Sequence, residues 1–420
     1  MNSAVAFQWC RWAVTLLVAA LAVPASASAD VVLDWNLITL TTIRTQNPFA
    51  QARYAAIAQI AVFEAVNAVT EQYQPYLRTV TASAGASPEA AAAAAAHRVL
   101  ISYFPNSAAA LDAALATSLA AIPNGQAKAD GIATGEAAAD AMVALRANDG
   151  SALLALFFPN SSAPGEWQLT PACTLGGGLF LHWRNVTPFA IPAAADFRAP
   201  EPPALTSAVY AHDYDEVRRL GAANSLERPR DRADVARFFA LTTGSTLWNA
   251  AARQVAAAQG RSLTHNARAL ALLNIAISDA LVASFETKYH YRLWRPETAI
   301  HDGHLDGNPK TGADTAFAPF VVTPCFPAYP SAHASSAYAA LEVLTHLYEG
   351  GGHSLVLSNP IVPDVVLSYS RFKAIADDID DARVYGGIHF RFDQDGGARQ
   401  GKAVGAYVLK NMLRNLELPE

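Results

Sequence analysis

The chain has 420 residues, 52% hydrophobic and 16% charged, which is ample apolar material for one large or two fused folded units and excludes a disordered chain. With 30 Lys and Arg against 36 Asp and Glu, the formal charge is −6; no global basic field exists to hold a polyanion, and nucleic-acid binding is not expected. Three cysteines without Cys-x-x-Cys spacing exclude a disulfide scaffold and a structural zinc site of that kind.

Residues 1–29 carry one charge, Arg11, then an apolar stretch from Trp12 to Val23, a breaker at Pro24 and the small-residue ending Ala27-Ser28-Ala29. That order is a signal peptide, with cleavage expected before Asp30, and its apolar core is short of the roughly 20 residues of a membrane span. The mature chain is expected to be exported, periplasmic or secreted, and without a membrane span, because no later stretch approaches 18 uninterrupted apolar residues. Cleavage removes Cys10 and leaves Cys173 and Cys325. An oxidising compartment allows those two to pair, and the sequence leaves open whether they meet.

Helical signals follow in series. Asn47-Pro48 supplies an N-cap and first helical position for Tyr54, Ile57, Ile60, Phe63 and Val66, and Ser87-Pro88-Glu89 opens an alanine run in the same way. Further helices are expected over 111–122, 127–146, 207–220, 232–241, 247–259, 266–288, 335–348, 369–382 and 400–418. Clear β alternation is scarce, and the long connections 148–203 and 301–330 are rich in Gly, Pro and Thr. These features define an all-α chain of roughly a dozen helices. Pro-Glu-Pro-Pro at 200–203 separates an alanine-rich N-terminal half (30–203) from a C-terminal half (204–420) richer in charge and aromatics.

Three segments of the second half carry chemistry. In Lys288-Tyr-His-Tyr-Arg-Leu-Trp-Arg295-Pro296 the two cations are seven residues apart, about two helical turns, so one helix face would present both. In Phe326-Pro-Ala-Tyr-Pro-Ser331-Ala332-His333 a helix N-terminus is expected, whose free N–H groups attract oxyanions. In Arg383-Val-Tyr-Gly-Gly-Ile-His389-Phe-Arg-Phe-Asp393, Asp393 lies about one helical turn after His389. It can accept one imidazole N–H and leave the other nitrogen as ligand or nucleophile.

Together the three segments resemble, in order and spacing, the signature of the superfamily that joins vanadium-dependent haloperoxidases with acid phosphatases and type-2 phosphatidic acid phosphatases. The resemblance implies two packed helical bundles of the haloperoxidase type. It also implies an oxyanion site in which Lys288, Arg295 and Arg383 neutralise the anion, Ser331 and the Ala332 amide hydrogen-bond it, and His333 is the acid–base residue. His389 would ligate vanadium, or form a phosphohistidine in a phosphatase, with Asp393 behind it. Gly387-Ile-His-Phe-Arg-Phe-Asp393 and Phe326-Pro-Ala-Tyr-Pro-Ser331 resemble the haloperoxidase versions of their motifs. Ala52-Arg-Tyr-Ala, Phe63-Glu-Ala-Val-Asn and Pro164-Gly-Glu-Trp are similar to segments of secreted bacterial haloperoxidase-like proteins. Phe285 and Phe326 match positions lining the halide side of the pocket. The implied cofactor is vanadate, with lysine polarising bound peroxide, and the implied substrates are hydrogen peroxide and halide; phosphate esters replace them in the phosphatase alternative. Ala332 stands where the family has Gly, so an amide shifted by strain at positive φ is expected if that conformation is required. In that case the chain would be a non-catalytic exported oxyanion binder.

Overall fold

The computed structural model describes residues 30–416, so the expected signal peptide over 1–29 lies outside the described residues. Thirteen α-helices and one β-hairpin make up its regular structure, with short 3-10 turns between them. The first five helices are α1 (Val31–Ile43), α2 (Pro48–Thr70), α3 (Pro88–Tyr103), α4 (Ala108–Ala120) and α5 (Gln126–Leu145). After a long connection come α6 (Ala208–Leu220), α7 (Arg230–Ala240), α8 (Gly244–Ala258), α9 (Leu263–Tyr291) and the single-turn α10 (Pro296–His301). The chain closes with α11 (Ala332–Tyr348), strands β1 (Gly351–Ser358) and β2 (Val366–Arg371), α12 (Phe372–Tyr385) and α13 (Arg391–Asn411).

The caps read from sequence hold. Asn47 accepts the N–H groups of Phe49 and Ala50 ahead of α2, and Ser87 accepts that of Ala90 in α3. Two expectations need correction. The helix foreseen from residue 369 begins at Phe372, because 366–371 pairs antiparallel with β1, and Leu355 and Leu357 point inward from that hairpin. The last helix begins at Arg391 rather than 400, through the Gly396-Gly397 pair that reads as a breaker, and it ends at Asn411.

Those glycines are what bring the second bundle together. A Cβ on Gly397 would lie 2.6 Å from the Ser331 carbonyl oxygen, and one on Gly401 would overlap that of Ser335. With glycine every four residues, α13 lies backbone to backbone against the Ala334, Ser335 and Ala339 face of α11. The first bundle uses the same device, with Gly131 and Gly135 of α5 seated against the Ser87 and Ala91 carbonyls of α3.

Helix α9 joins the bundles, packing on α2 from one side and on α11 and α13 from the other. It is long and apolar enough to cross a membrane, yet its whole apolar window is buried inside the protein, as a core helix requires. Buried Asp279 at its middle accepts the N–H groups of Phe189, Ala190 and Ile191, which fixes the end of the 148–203 connection to the core. The same connection reaches the site. Trp167 N–H donates to the Arg292 carbonyl at 2.7 Å, and Trp294 N–H to that of Gly165 at 2.9 Å. Cys173 and Cys325 form a disulfide, the pairing that sequence left open, and it ties this connection to the segment entering α11. Closing a loop of that length stabilises by about 2–4 kcal/mol, so Cys173→Ser should lower the thermal midpoint by several degrees, read by calorimetry.

Candidate oxyanion site

The functional side chains come from five places at one end of the second bundle. Lys288 sits in the last turn of α9, but Arg295 does not share its helix face as the spacing suggested. The helix stops at Tyr291, Arg292 takes a left-handed conformation at φ 52°, and Arg295 is the extended N-cap of α10. Pro296 disfavours a helical Arg295, so the cations converge through a turn. Both are fully buried. Lys288 Nζ donates to the carbonyls of Pro327 (2.9 Å) and Ala328 (2.7 Å). Arg295 donates from Nε to the Phe326 carbonyl and from Nη1 to that of Ile388, both at 2.8 Å. The Phe326 ring lies over both cations, 5.4 Å from Lys288 Nζ and 5.0 Å from Arg295 Cζ.

His389 also departs from the helical picture. It precedes α13, whose N-cap is Phe390, and Asp393 is the third helical residue. One oxygen, Asp393 Oδ2, accepts both the His389 Nδ1–H at 2.7 Å and the Phe390 N–H at 3.0 Å. The carboxylate therefore fixes the imidazole with its proton on Nδ1 and its lone pair on Nε2, where Arg295 Nη1 donates at 3.0 Å. The turn before it needs Gly387 at φ +79°, where a side chain would overlap the Gly221 carbonyl. Arg383, in the last turn of α12, is buried.

Ser331 caps α11 through Oγ to Ala334 N–H, and its own N–H donates to the Asp393 carbonyl at 2.9 Å, so α13 anchors the start of α11 directly. Ala332 is the first helical residue and has no positive φ. The strain expected from Ala in place of Gly is absent, because helical backbone suits any residue here. The argument for a decayed site falls with it.

His333, His389, Ala332 and Arg383 border a cavity of about 330 Å³ whose other walls are largely apolar, including Phe49, Phe180, Ile277, Leu281 and Phe326. Phe285 is one layer behind, fully buried with its ring 4.4 Å from Phe49 and 5.1 Å from Phe326. Phe49 and Phe180 were not foreseen. They stand in the other half of the chain with no motif of their own, and only the fold brings them here.

The electrostatics are those of a site built for an anion. Burial, then the charges of Arg295 and Arg383, pushes the Lys288 ammonium well below its ordinary range, while Asp393 opposes the shift. Burial pushes Arg295 down to about 9 and Arg383 to about 10. Burial raises Asp393 to about 7 against the pull of Lys288 and Arg295. Two arginines and a lysine whose charge burial disfavours thus face one carboxylate, and Arg295 Nη2 and Arg383 Nε are buried without a hydrogen-bond partner. Unpaired buried donors cost free energy that an oxyanion would recover. The residues fit vanadate or phosphate.

Burial first, and then the neighbouring cations, hold His333 and His389 well below the usual imidazole value, so both are neutral when folded. Unfolded, they take up protons near pH 6.5. Their contribution is therefore present above that pH and lost as pH falls, by at most about 2.7 kcal/mol per pH unit for two protons. His182, and His265 at about 4, add to the slope in the same direction but do not border the cavity. Asp393 and Asp380, raised to about 7, and Asp279, raised to about 6, take up protons in the fold over the same range and oppose that loss. The imidazole share is therefore read as a difference: from about pH 7.5 to 5 the thermal midpoint should fall further without phosphate than with it, because the bound charge makes protonating the two site imidazoles easier.

Fold and site together are a double helical bundle with a buried cluster of two arginines, a lysine and two neutral imidazoles at one end of the second bundle. Comparison with known proteins places it further. The family model of the VCPO second helical-bundle domain matches residues 268–417. Vanadium chloroperoxidase of Curvularia inaequalis is 36% identical over 93 residues, a match covering 20% of this chain and 15% of that protein's length. Among solved structures, a bacterial vanadium-dependent iodoperoxidase superposes with a TM-score of 0.76 at 25% identity, over 93% of this chain and 97% of its own. A bacterial vanadium-dependent chloroperoxidase in its apo form shares the fold, with a TM-score of 0.68 at 15% identity over 86% and 92% of the two chains. These comparisons relate residues 268–417 to the VCPO second helical-bundle domain and the fold of most of the chain to that of bacterial vanadium-dependent haloperoxidases.

Proposed function

We propose that the chain is a vanadium-dependent haloperoxidase, oxidising halide with hydrogen peroxide to hypohalous acid. The observation that carries this reading is the placement of His389, neutral His333 and buried Arg383 at an apolar cavity bordered by no carboxylate, with Arg295 on His389 Nε2 and Lys288 and Arg295 behind the Phe326 ring. Lys288, Arg295 and Arg383 would hold the vanadate oxygens together with Ser331 and the Ala332 amide, and His389 Nε2 would be the ligand. Bound vanadate supplies a Lewis-acidic centre that activates peroxide. The rest is the work of the protein. Asp393 keeps the His389 proton on Nδ1, so Nε2 stays unprotonated, its lone pair accepting from Arg295 Nη1 until a bound anion takes that donor's place. Neutral His333 at the cavity wall can take a proton from arriving peroxide and return it to a departing oxygen. Lys288, recharged by a neighbouring anion, supplies a positive charge at the reacting oxygens, and the apolar walls limit water.

The competing reading is an acid phosphatase, because an imidazole backed by a carboxylate is also what a nucleophilic His389 requires. Phe326 over Lys288 and Arg295, and the largely apolar walls, favour the halide reaction. The test is halide oxidation by chelated protein before and after vanadate addition, beside phosphate-ester hydrolysis. Activity that appears with vanadate and is suppressed by phosphate supports the proposal. Metal-free ester hydrolysis inhibited by vanadate, without halide oxidation, would replace it with the phosphatase. Binding of either anion without turnover would leave an oxyanion binder. Export is part of the proposal, supported by the leader over 1–29 and by a disulfide that an oxidising compartment preserves. Fractionation of cells expressing the full chain tests it.

A further inference from the structure

The two innermost cations of the site are held by main chain. Three consecutive carbonyls serve them: that of Phe326 accepts from Arg295 Nε, and those of Pro327 and Ala328 accept from Lys288 Nζ. The position of both side chains therefore depends on what holds residues 325–328, and that segment is neither helix nor strand. Pro324, Pro327 and Pro330 carry no N–H, and the Phe326 N–H turns back on the Pro324 carbonyl. Two main-chain hydrogen bonds tie the segment to the rest of the described residues: Ala328 N–H to the Leu293 carbonyl at 2.9 Å, and Leu179 N–H to that of Cys325 at 2.8 Å. The third tie is covalent, the Cys173–Cys325 bond one residue before Phe326. Its other end lies in the 148–203 connection, which closes on itself where Phe157 and Gly178 exchange main-chain hydrogen bonds and grips the turn before Arg295 through Trp167 and Gly165. The bond thus joins the turn that delivers Arg295 to the carbonyls that receive Arg295 and Lys288. Cys325 is 5% exposed, but Cys173 is half-buried between two turns and beside exposed Thr174 and Leu175, so the approach for a small thiol is from the Cys173 side.

We propose that the Cys173–Cys325 disulfide is a redox-sensitive positioning device for the oxyanion site: closed, it holds the 326–328 carbonyls against Lys288 and Arg295; reduced, it frees them, and the site binds its anion more weakly. The step is thiol–disulfide exchange. One thiolate of a dithiol attacks Cys173 Sγ and expels Cys325 as the thiolate; the second thiol displaces Cys173, so the reductant leaves as a cyclic disulfide and its two electrons and two protons remain on Cys173 and Cys325. A small disulfide such as oxidised glutathione reverses the step. The effect on the anion follows from charge. A buried ammonium keeps its proton only with acceptors at hand, so Lys288 without the Pro327 and Ala328 carbonyls is less often positive, and Arg295 without that of Phe326 is less firmly aimed. In a reducing compartment the site would be slack, and passage to an oxidising one would complete it. The inference rests on the reading of this cluster as an oxyanion site and not on which anion reacts there.

The experiment uses the full mature chain with inorganic phosphate as the probe, because a dithiol would consume peroxide and reduce vanadate. Titration calorimetry measures phosphate affinity on the oxidised protein, on protein reduced with a dithiol that is then removed, and on the reduced protein after reoxidation with oxidised glutathione. Thiol titration confirms that the one bond has opened and closed again. All three samples are kept well below the thermal midpoint, with helix content checked by circular dichroism. Reduction should weaken phosphate binding about tenfold, the worth of one hydrogen bond to a charged group, and reoxidation should restore it. The alkaline limb of binding should also move to lower pH in the reduced form, a change that loss of stability alone would not produce. Cys173→Ser should bind as the reduced protein does and ignore the dithiol. Equal phosphate binding by folded reduced and oxidised chains would overturn the device and leave the oxyanion site standing. A reduced chain that unfolds would overturn it too, leaving the bond a purely structural one. If the oxidised chain binds neither phosphate nor vanadate, site and device fall together.

Discussion

His389→Ala is expected to abolish vanadate-dependent halide oxidation, with a loss of about a thousandfold or more in kcat/KM, and to weaken vanadate binding in parallel. The reason is geometric. Nε2 is the one imidazole lone pair that Asp393 holds in place at the cradle, and Arg295 already donates to it. Its removal leaves three cations that can still attract an anion but no protein atom to bond its centre. Binding should therefore persist in weakened, salt-sensitive form while turnover disappears. Asp393→Asn should be milder, about ten- to a hundredfold, because the ring stays but its tautomer and orientation are no longer fixed. Asp393 is also the carboxylate that opposes the depression of Lys288, so its replacement should shift the pH profile as well as the rate. Vanadate titration followed by NMR separates affinity from turnover, and a variant that keeps full activity would remove His389 from the centre of the mechanism.

The site was more legible than the architecture that holds it. Lys288, Arg295, Ser331, Ala332, His333, Arg383, His389 and Asp393 lie within short motifs, and the structure gathers all of them at one end of the second bundle. What the spacing could not supply was the route. Two convergences read as helical faces are made instead by turns, at Arg292 before Arg295 and at Gly387 before His389, because a left-handed residue redirects a chain without altering its spacing. Phe49 and Phe180 were invisible for another reason. Each belongs to the site through tertiary packing alone, and each looks like an ordinary core or cap residue in its own segment. Asp213 is similar: buried on α6, it accepts the Phe392 N–H at 2.7 Å and steadies the start of α13 from outside the motifs. Glycine misled the reading of α13, where Gly396-Gly397 resembles an interruption, because local propensity counts the cost of glycine in a helix and not the approach it permits.

That approach makes the remaining large prediction. Gly401→Ala should destabilise the protein by about 2–4 kcal/mol, although alanine is the better helix former and an exposed glycine would gain from the change. The added methyl would overlap the Ser335 carbonyl oxygen and stand 2.9 Å from the Ala339 nitrogen, both backbone atoms that cannot rotate aside. Relief requires α13 to move away from α11, and the two helices are joined at the site by the Ser331 N–H donated to the Asp393 carbonyl. A shift there draws Asp393, and His389 with it, from the Ser331-Ala332-His333 end of α11. Oxyanion affinity should thus fall together with the thermal midpoint, and saturating phosphate should recover part of the lost stability by favouring the closed arrangement. Gly405→Ala would set its methyl 2.7 Å from Glu342 Cβ and 2.9 Å from the Ala339 carbonyl oxygen, also fixed atoms, but lies one turn farther along α13 from Asp393, so it should cost stability as well while lowering anion affinity less. Comparing the two by calorimetry with and without phosphate separates general packing from positioning of the site. Equal losses of affinity in both variants would show that close contact along α11 and α13 matters to stability alone.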